Sequence, residues 1–538
     1  MNLLERTAVL SGTIAALALT ASAQDWPSWG GSDPGRNMYS TAKGMPSAFE
    51  PGKFKPNSED IDLSTTKNVK WVAKLGSQTY GNPVVANGKL YVGTNNATPR
   101  DPRFKDDKSI LMAFNEYDGG FLWQLVVPKL ASGKVNDWEY LGLLSSPAVE
   151  GEKIWVVTSR CEVVCLDPNG QSNGNAGPFA EEGQYMVGPG KKPVEVTPKD
   201  ADIIWRYDMM DQLGVFPHNA ANSSPVILGD KVFVCTSNGQ DWTHVNIPSP
   251  LSPSFIALEK NTGELLGEDN AEIGPRILHG QWTSPSLGTV KGKTHVYFGG
   301  GDGVLYALDT NPVKEGDVDL IKKVWWFDAV PPEYKVDKNG KPIKYPAAEG
   351  PSEINATPVF YKNRVYVALG QDPEHGEGVG RLVCVDATKE GDITKTGLIW
   401  DYKGAHRSIS TVSIDPNNGL LFLADFSGFV HCLDAETGKL HWVHDMQAHM
   451  WGSTFVVDGK VYVGDEDGDF VILESAPVKK IVTEVNMGAP IYSTPIVANG
   501  TMYVGTQTHL YALAEGAKVV EPGSAAPAAA GKKSVKAP

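Results

Sequence analysis

Hydrophobic residues in this chain alternate with polar ones in short runs instead of recurring every three or four positions, so the pattern predicts strands, not amphipathic helices. The runs come in a fixed order. A small polar residue and Pro, or a substitute, lead into β-branched residues, then a two-residue turn, then an aromatic and β-branched run, then Leu-Tyr-Ala-Leu-Asp or a relative. The clearest copies are Asn82-Pro83-Val84-Val85 with Lys89-Leu90-Tyr91-Val92, Ser224-Pro225-Val226-Ile227 with Lys231-Val232-Phe233-Val234, and Thr494-Pro495-Ile496-Val497 with Met502-Tyr503-Val504. Eight copies begin at Pro83, Pro147, Pro225, Pro285, Pro358, Val412, Phe455 and Pro495, and the last two intervals are 43 and 40 residues. A bare unit of about 40 residues has the length of one four-stranded propeller blade.

Four strands, A to D, account for each unit. Turns such as Asn87-Gly88, Asp458-Gly459 and Asn499-Gly500 favour a type I′ hairpin between A and B. The Leu305-Tyr306-Ala307-Leu308-Asp309 phrase is strand C, and Thr262-Gly263 or Thr437-Gly438 turns into strand D, which ends in Trp123, Trp205, Trp325, Trp400 or Trp442. The last unit runs out after Tyr511-Ala512-Leu513, and Asn68-Val69-Lys70-Trp71-Val72-Ala73 supplies the missing strand. The predicted fold is all-β: a single eight-bladed propeller of four-stranded antiparallel blades over residues 68–516, closed by an N-terminal strand. Two smaller propellers would leave two rings to close with one split blade.

Charge narrows the partners. There are 48 basic and 63 acidic residues, a net of −15, which is the opposite of a nucleic-acid footprint. Five cysteines are too few for a disulfide framework. Cys165, Cys384 and Cys432 stand where other units carry Ala257, Ala307 or Ala512 and read as small core residues, while Cys161 and Cys235 leave a bridge between neighbouring blades open. Residues 1–23, with Arg6, an apolar run and Ala21-Ser22-Ala23, follow signal-peptide grammar, predicting a periplasmic or secreted protein that starts at Gln24 and has no membrane span. Residues 24–67 read as an extension packed on the propeller, and the Ala, Pro and Lys of 517–538 as a disordered tail.

The candidate chemistry lies in the loops. In a blade meander the B–C and D–A connections share one face, and His218, His244, His279, His375, His406, His449 and His509 fall there. Loops on a rigid scaffold carry function. The ligand-binding candidates are Asn238, Asp241, Trp242, His244, His279, Gln281, Trp282, Gln371, Asp372, His375, His406, Arg407, His449 and Trp451. The acidic run around Asp465 and Asp467 offers hard oxygen ligands for calcium, but its place in the unit predicts a B–C hairpin turn.

The Ala-Leu-Asp, Thr-Gly-Lys and strand-D Trp phrases, with Trp26-Pro27-Ser28-Trp29-Gly30-Gly31, resemble the pyrroloquinoline-quinone (PQQ)-like repeat proteins. That group includes quinoprotein alcohol and glucose dehydrogenases, scaffold lipoproteins of outer-membrane protein assembly, and many secreted bacterial members of unassigned function. Of these, the quinoprotein dehydrogenases hold PQQ with calcium, which the resemblance offers as a cofactor only for the oxidoreductase alternative; the sequence itself identifies no cofactor. Asn238 in Thr236-Ser237-Asn238 matches a calcium ligand of the dehydrogenases, and is a weak metal candidate here together with Asp465 and Asp467. The sequence departs elsewhere: there is no adjacent cysteine pair, both aspartates of the dehydrogenase His-Asp-x-Trp-Asp segment are replaced in His279-Gly280-Gln281-Trp282-Thr283, and Gly299-Gly300-Gly301-Asp302-Gly303 lacks the arginine. The reading is therefore a module that binds a small molecule or a protein through its loop-rich face. Its alternative is a PQQ- or metal-dependent oxidoreductase using His406, Arg407, Asp372 or His375.

Overall fold

The computed structural model describes residues 24–375 and 378–524; the signal-peptide reading and residues 525–538 of the tail fall outside these residues. Eight four-stranded antiparallel sheets form an eight-bladed propeller. Blade 1 holds Val84–Ala86, Lys89–Asn95, Lys108–Asn115 and Phe121–Pro128 as strands A to D. Blades 2 to 7 repeat the order, each starting at its own strand A: Ala148–Glu150, Val226–Leu228, Ser286–Val290, Val359–Tyr361, Ser413–Ile414 and Phe455–Val457. Blade 8 takes Ile496–Ala498, Thr501–Gly505 and His509–Leu513 from the end of the chain and Val69–Lys74 from its beginning, with Ala512 opposite Trp71.

The strand-D tryptophan explains three features of the repeat at once. It sits opposite a small strand-C residue, as in Ala113 with Trp123, Cys165 with Trp205, Cys384 with Trp400 and Cys432 with Trp442, and the register shifts immediately after that pair. A β-bulge there increases the local twist and turns the ring outward. The ring then lies on the C–D turn of the next blade, where the indole N–H of Trp71, Trp123, Trp205, Trp400 and Trp442 donates to the carbonyls of Glu116, Pro168, Lys260, Ala435 and Ala476. Gly119, Gly263 and Gly438 have positive φ, and a Cβ on any of them would come within 2.6 Å of the neighbouring ring. The Thr-Gly phrase therefore records a close approach as well as a turn. All five thiols are free and buried.

Around the axis, the small polar residue that opens strand A links blade to blade at five of the eight junctions. The N–H groups of Ser146, Ser224, Thr411, Ser453 and Thr494 donate to the side-chain oxygens of Ser224, Ser284, Ser453, Thr494 and Asn82 in the following blade. Residues 24–40 then touch every blade at or beside its inner strand. Trp26 exchanges backbone hydrogen bonds with Val85, Val149 donates to Pro27, Leu287 to Pro34, Phe360 to Gly35, Val456 to Met38, and Asn499 to Gln24. The Asn37 amide pairs with both backbone groups of Ile414. Arg36, fully buried, donates from Nε to Pro285 O at 3.0 Å and from Nη2 to Pro225 O at 2.8 Å, joining blades 3 and 4, while Nη1 reaches Trp29 O.

Candidate functional site

On the loop face the D–A connections surround a cavity of about 490 Å³. Its wall is aromatic: Tyr80 stacks on Tyr492 at 4.6 Å, Trp451 stands edge-on to Tyr80 at 5.4 Å, and Trp138, Tyr140 and Trp282 complete it. The polar ring of Asn82, Ser224, Ser284, Thr357, Thr411, Ser453 and Thr494 also faces it, and the N-terminal segment contributes Trp29. Among the described residues, Glu139, Asp372 and Glu374 are its ionisable acids, and no Lys or Arg lines it.

Against this cavity four histidines gather from four connections. His218 comes from the loop between blades 2 and 3, His244 from the B–C loop of blade 3, His279 from the loop between blades 3 and 4, and His375 from the B–C loop of blade 5. Ring centroids are 4.2 Å apart for His218 and His279, 4.8 Å for His244 and His279, 4.9 Å for His244 and His375, and 4.5 Å for His279 and His375. Asp372 Oδ2 lies 2.5 Å from His375 Nδ1 and 2.9 Å from His279 Nδ1, and accepts a 2.8 Å hydrogen bond from the Tyr345 hydroxyl. Trp282 stands edge-on to His279 at 5.3 Å, so cavity and cluster share a wall.

The electrostatics sort these groups. Burial, with His279 adding to it, pushes the His218 ring down to about 3, so it is neutral at ordinary pH. Burial and the neighbouring His279 and His375 push His244 down as well. Hydrogen bonding to Asp372 raises His375, and although burial opposes it, contact with His279 and His375 holds the Asp372 carboxyl well below the usual range. Next to it, burial and Asp372 push Glu353 well above a normal carboxylate. Glu353 accepts from Tyr345 and Asn355, each at 3.1 Å.

Of the sequence candidates, His244, His279, Trp282, Asp372 and His375 come together here, and Trp451 lines the cavity. Arg407 is buried, donates to Asp372 O at 2.8 Å and lies over Phe426. His449 stacks on Phe426, and His406 turns away to Asp425, which also binds His431. Gln371 and Gln281 spend their amides on Ala347, Pro351, Asn238 and Ser254. Asp241 caps its own turn at Thr243 and Asn246, and Trp242 is 54% exposed, 6.2 Å from His244. His218 was placed on this face without being a candidate. Tyr345 and Glu353 were missed, and the available signal was a glutamate inside the Ser352-Glu353-Ile354-Asn355 lead-in to a buried strand.

The calcium candidates do not assemble. Asn238 is buried with its oxygen accepting from Phe216 N and its amide donating to Ser249 O, and Asp465 folds back onto the amides of Asp467 and Asp469 in its own hairpin. PQQ itself, a flat tricarboxylate, does not fit these residues either: among the described residues no Lys or Arg lines the cavity, the thiols are buried and free, and Thr283 donates its hydroxyl to Ala356 O.

Comparison with known proteins agrees with the architecture. A sequence-family profile described as outer membrane protein assembly factor BamB matches residues 61–177 and 410–513. The quinoprotein alcohol dehydrogenase PedH of Pseudomonas putida is 25% identical over 206 residues, 36% of this chain, and the match spans about a third of that relative, 32% of its length. A europium-containing methanol dehydrogenase superposes with a TM-score of 0.53 at 13% identity, covering 91% of this chain and 90% of its own. The quinohemoprotein alcohol dehydrogenase ADHIIG of Pseudomonas putida HK5 gives 0.52 at 12% identity, covering 94% and 82%. With eight blades and a ring closed by both chain ends, the chain is an eight-bladed β-propeller that is similar to PQQ-like propeller proteins.

Proposed function

We propose that this chain is an exported binding protein that holds an uncharged, hydroxyl-rich small molecule, a saccharide or related polyol, in the loop-face cavity. The observation that carries this reading is the composition of the wall: six Tyr and Trp rings, with Trp29 as a seventh, a ring of hydroxyl and amide side chains, and no cation. Aromatic faces stack on the C–H faces of sugars, and hydroxyl and amide groups orient hydroxyls. An anionic ligand would meet Glu139, Asp372 and Glu374 without a counter-charge. A periplasmic location follows from the signal-peptide reading, and no helix among the described residues is long and apolar enough to cross a membrane.

Titration of tryptophan fluorescence with a panel of mono- and oligosaccharides tests this, with Trp451→Ala expected to lower affinity by about 10-fold or more while the fold is retained. Failure of every neutral saccharide, with binding of an organic anion instead, would overturn it. The oxidoreductase reading is favoured by one observation, that Asp372 and Trp282 belong to both the cavity and the histidine cluster. Dye-linked oxidation of alcohols with PQQ and calcium is expected to give no turnover.

A further inference from the structure

We infer that His218, His244 and His279 form a binding site for one divalent first-row transition-metal ion, with His375 and Asp372 holding two of the three rings from behind. The inference is independent of what the cavity holds. It rests first on hydrogen-bond accounting: Nε2 of His218, His244 and His279 is buried and has no hydrogen-bond partner. A buried polar atom left unpaired is costly, and three such atoms on rings in mutual contact call for a shared acceptor of their lone pairs. A metal ion is such an acceptor.

The second argument is the outer contacts. The ring nitrogens that would point away from the ion have polar neighbours: His218 Nδ1 lies 2.6 Å from Gln240 O, His244 Nδ1 lies 3.3 Å from His375 Nε2, and His279 Nδ1 lies at an ion-pair distance of 2.9 Å from Asp372 Oδ2. A carbonyl or carboxylate on Nδ1–H fixes the tautomer and leaves Nε2 free to ligate, which is the usual support of a metal-bound histidine. Asp372 is held in turn by Tyr345 and, through its carbonyl, by Arg407.

The third argument is spacing. One ligand atom from each of His218, His244 and His279 lies within 4.8 Å of the others. His375 Nε2 lies 3.3 Å from His244 Nδ1, so the fourth ring supports His244 from behind and leaves its Nε2 to the ion. Imidazole donors select zinc, copper, nickel or iron over calcium and magnesium, which take oxygen ligands.

The test uses the untagged mature chain, stripped with chelator and dialysed. Zn(II), Cu(II) and Co(II) are each titrated by calorimetry, metal content is measured by mass spectrometry, and Ca(II) serves as the comparison. One ion per chain is expected, with Co(II) giving the visible bands of nitrogen-rich, low-coordinate cobalt and Ca(II) not competing. His279→Asn should abolish stoichiometric uptake. If that buried variant fails to fold, half-buried His244→Ala carries the same expectation. Asp372→Asn should weaken affinity by about 10–100-fold and shift the Co(II) bands, because it alters ring orientation without removing a ring. His441→Asn, on strand D of blade 6, should bind as wild type. Uptake well under one ion per chain, uptake equal in wild type and His244→Ala, or displacement by Ca(II) would each overturn the inference.

Discussion

Arg36 gives the sharpest test of how the ring is held. Replacing it with Met keeps an apolar stem of similar length and removes the guanidinium that reaches Pro285 O at 3.0 Å, Pro225 O at 2.8 Å and Ser224 O at 3.3 Å. Hydrogen bonds to a charged group contribute about 1.5–3 kcal/mol each, so the gross loss is about 5–9 kcal/mol. Burial opposes this: it pulls Arg36 down to about 9, and removing the charge returns a desolvation cost of several kcal/mol. Because the carbonyls stay behind unpaired, loss wins by about 2–4 kcal/mol. A cooperative unit of this size has an unfolding entropy of about 1 kcal/mol per degree, so the expected fall in Tm is only about 2–4 °C. Scanning calorimetry resolves that shift. Arg36→Lys should fall nearly as far, since a single ammonium cannot span two blades as the fork does. If Arg36→Met melts within a degree of wild type, the N-terminal segment is an accessory, and the inter-blade role assigned to this residue is wrong.

Two other outcomes can be checked on the same preparation. Gly438→Ala places a methyl 2.6 Å from the Trp400 ring at a φ of +72°, and should cost about 2–4 kcal/mol by urea unfolding, whereas Gly459→Ala, with positive φ but open space, should cost only about 1–2 kcal/mol. His509, buried in blade 8, is pushed down to about 4 by burial and by Lys74. Its unfolded-state value is near 6.5, so its contribution is complete above pH 6.5 and is lost as pH falls towards 4. His509→Gln should flatten the stability profile between those values; a profile unchanged in slope would assign the acid sensitivity to other groups.

The scaffold was readable because each blade repeats its constraints locally. A tryptophan needs a small partner opposite and a glycine beyond, so Ala113, Cys165 and Cys432 announce strand C, and Gly263 and Gly438 announce the next turn. The shared face of the histidines followed from the same meander. Their meeting did not, because it depends on loop reach. His244 and His375 are 131 residues apart and touch because the B–C loops of blades 3 and 5 meet. His406 and His449 share the face but sit on blades 6 and 7, where Asp425 and Phe426 hold them. The path of residues 24–40 was hidden for another reason: it binds mostly through backbone groups, which leave no pattern in side chains.

That path bears on the order in which the molecule can be made. Gln24 and Asp25 hydrogen-bond Asn499, and Val69–Lys74 pairs with His509–Leu513, so an early stretch of the chain has its partners in a late one. Blades 1 to 7 can zip in turn through local hairpins, but ring closure waits for blade 8. Until then the edge of blade 1 and the early segment stay open. Contacts of such sequence separation form slowly. A truncation before Ile496 should therefore yield an aggregating chain, not a seven-eighths propeller, and completion of the molecule becomes a single late event that senses whether the whole chain has arrived.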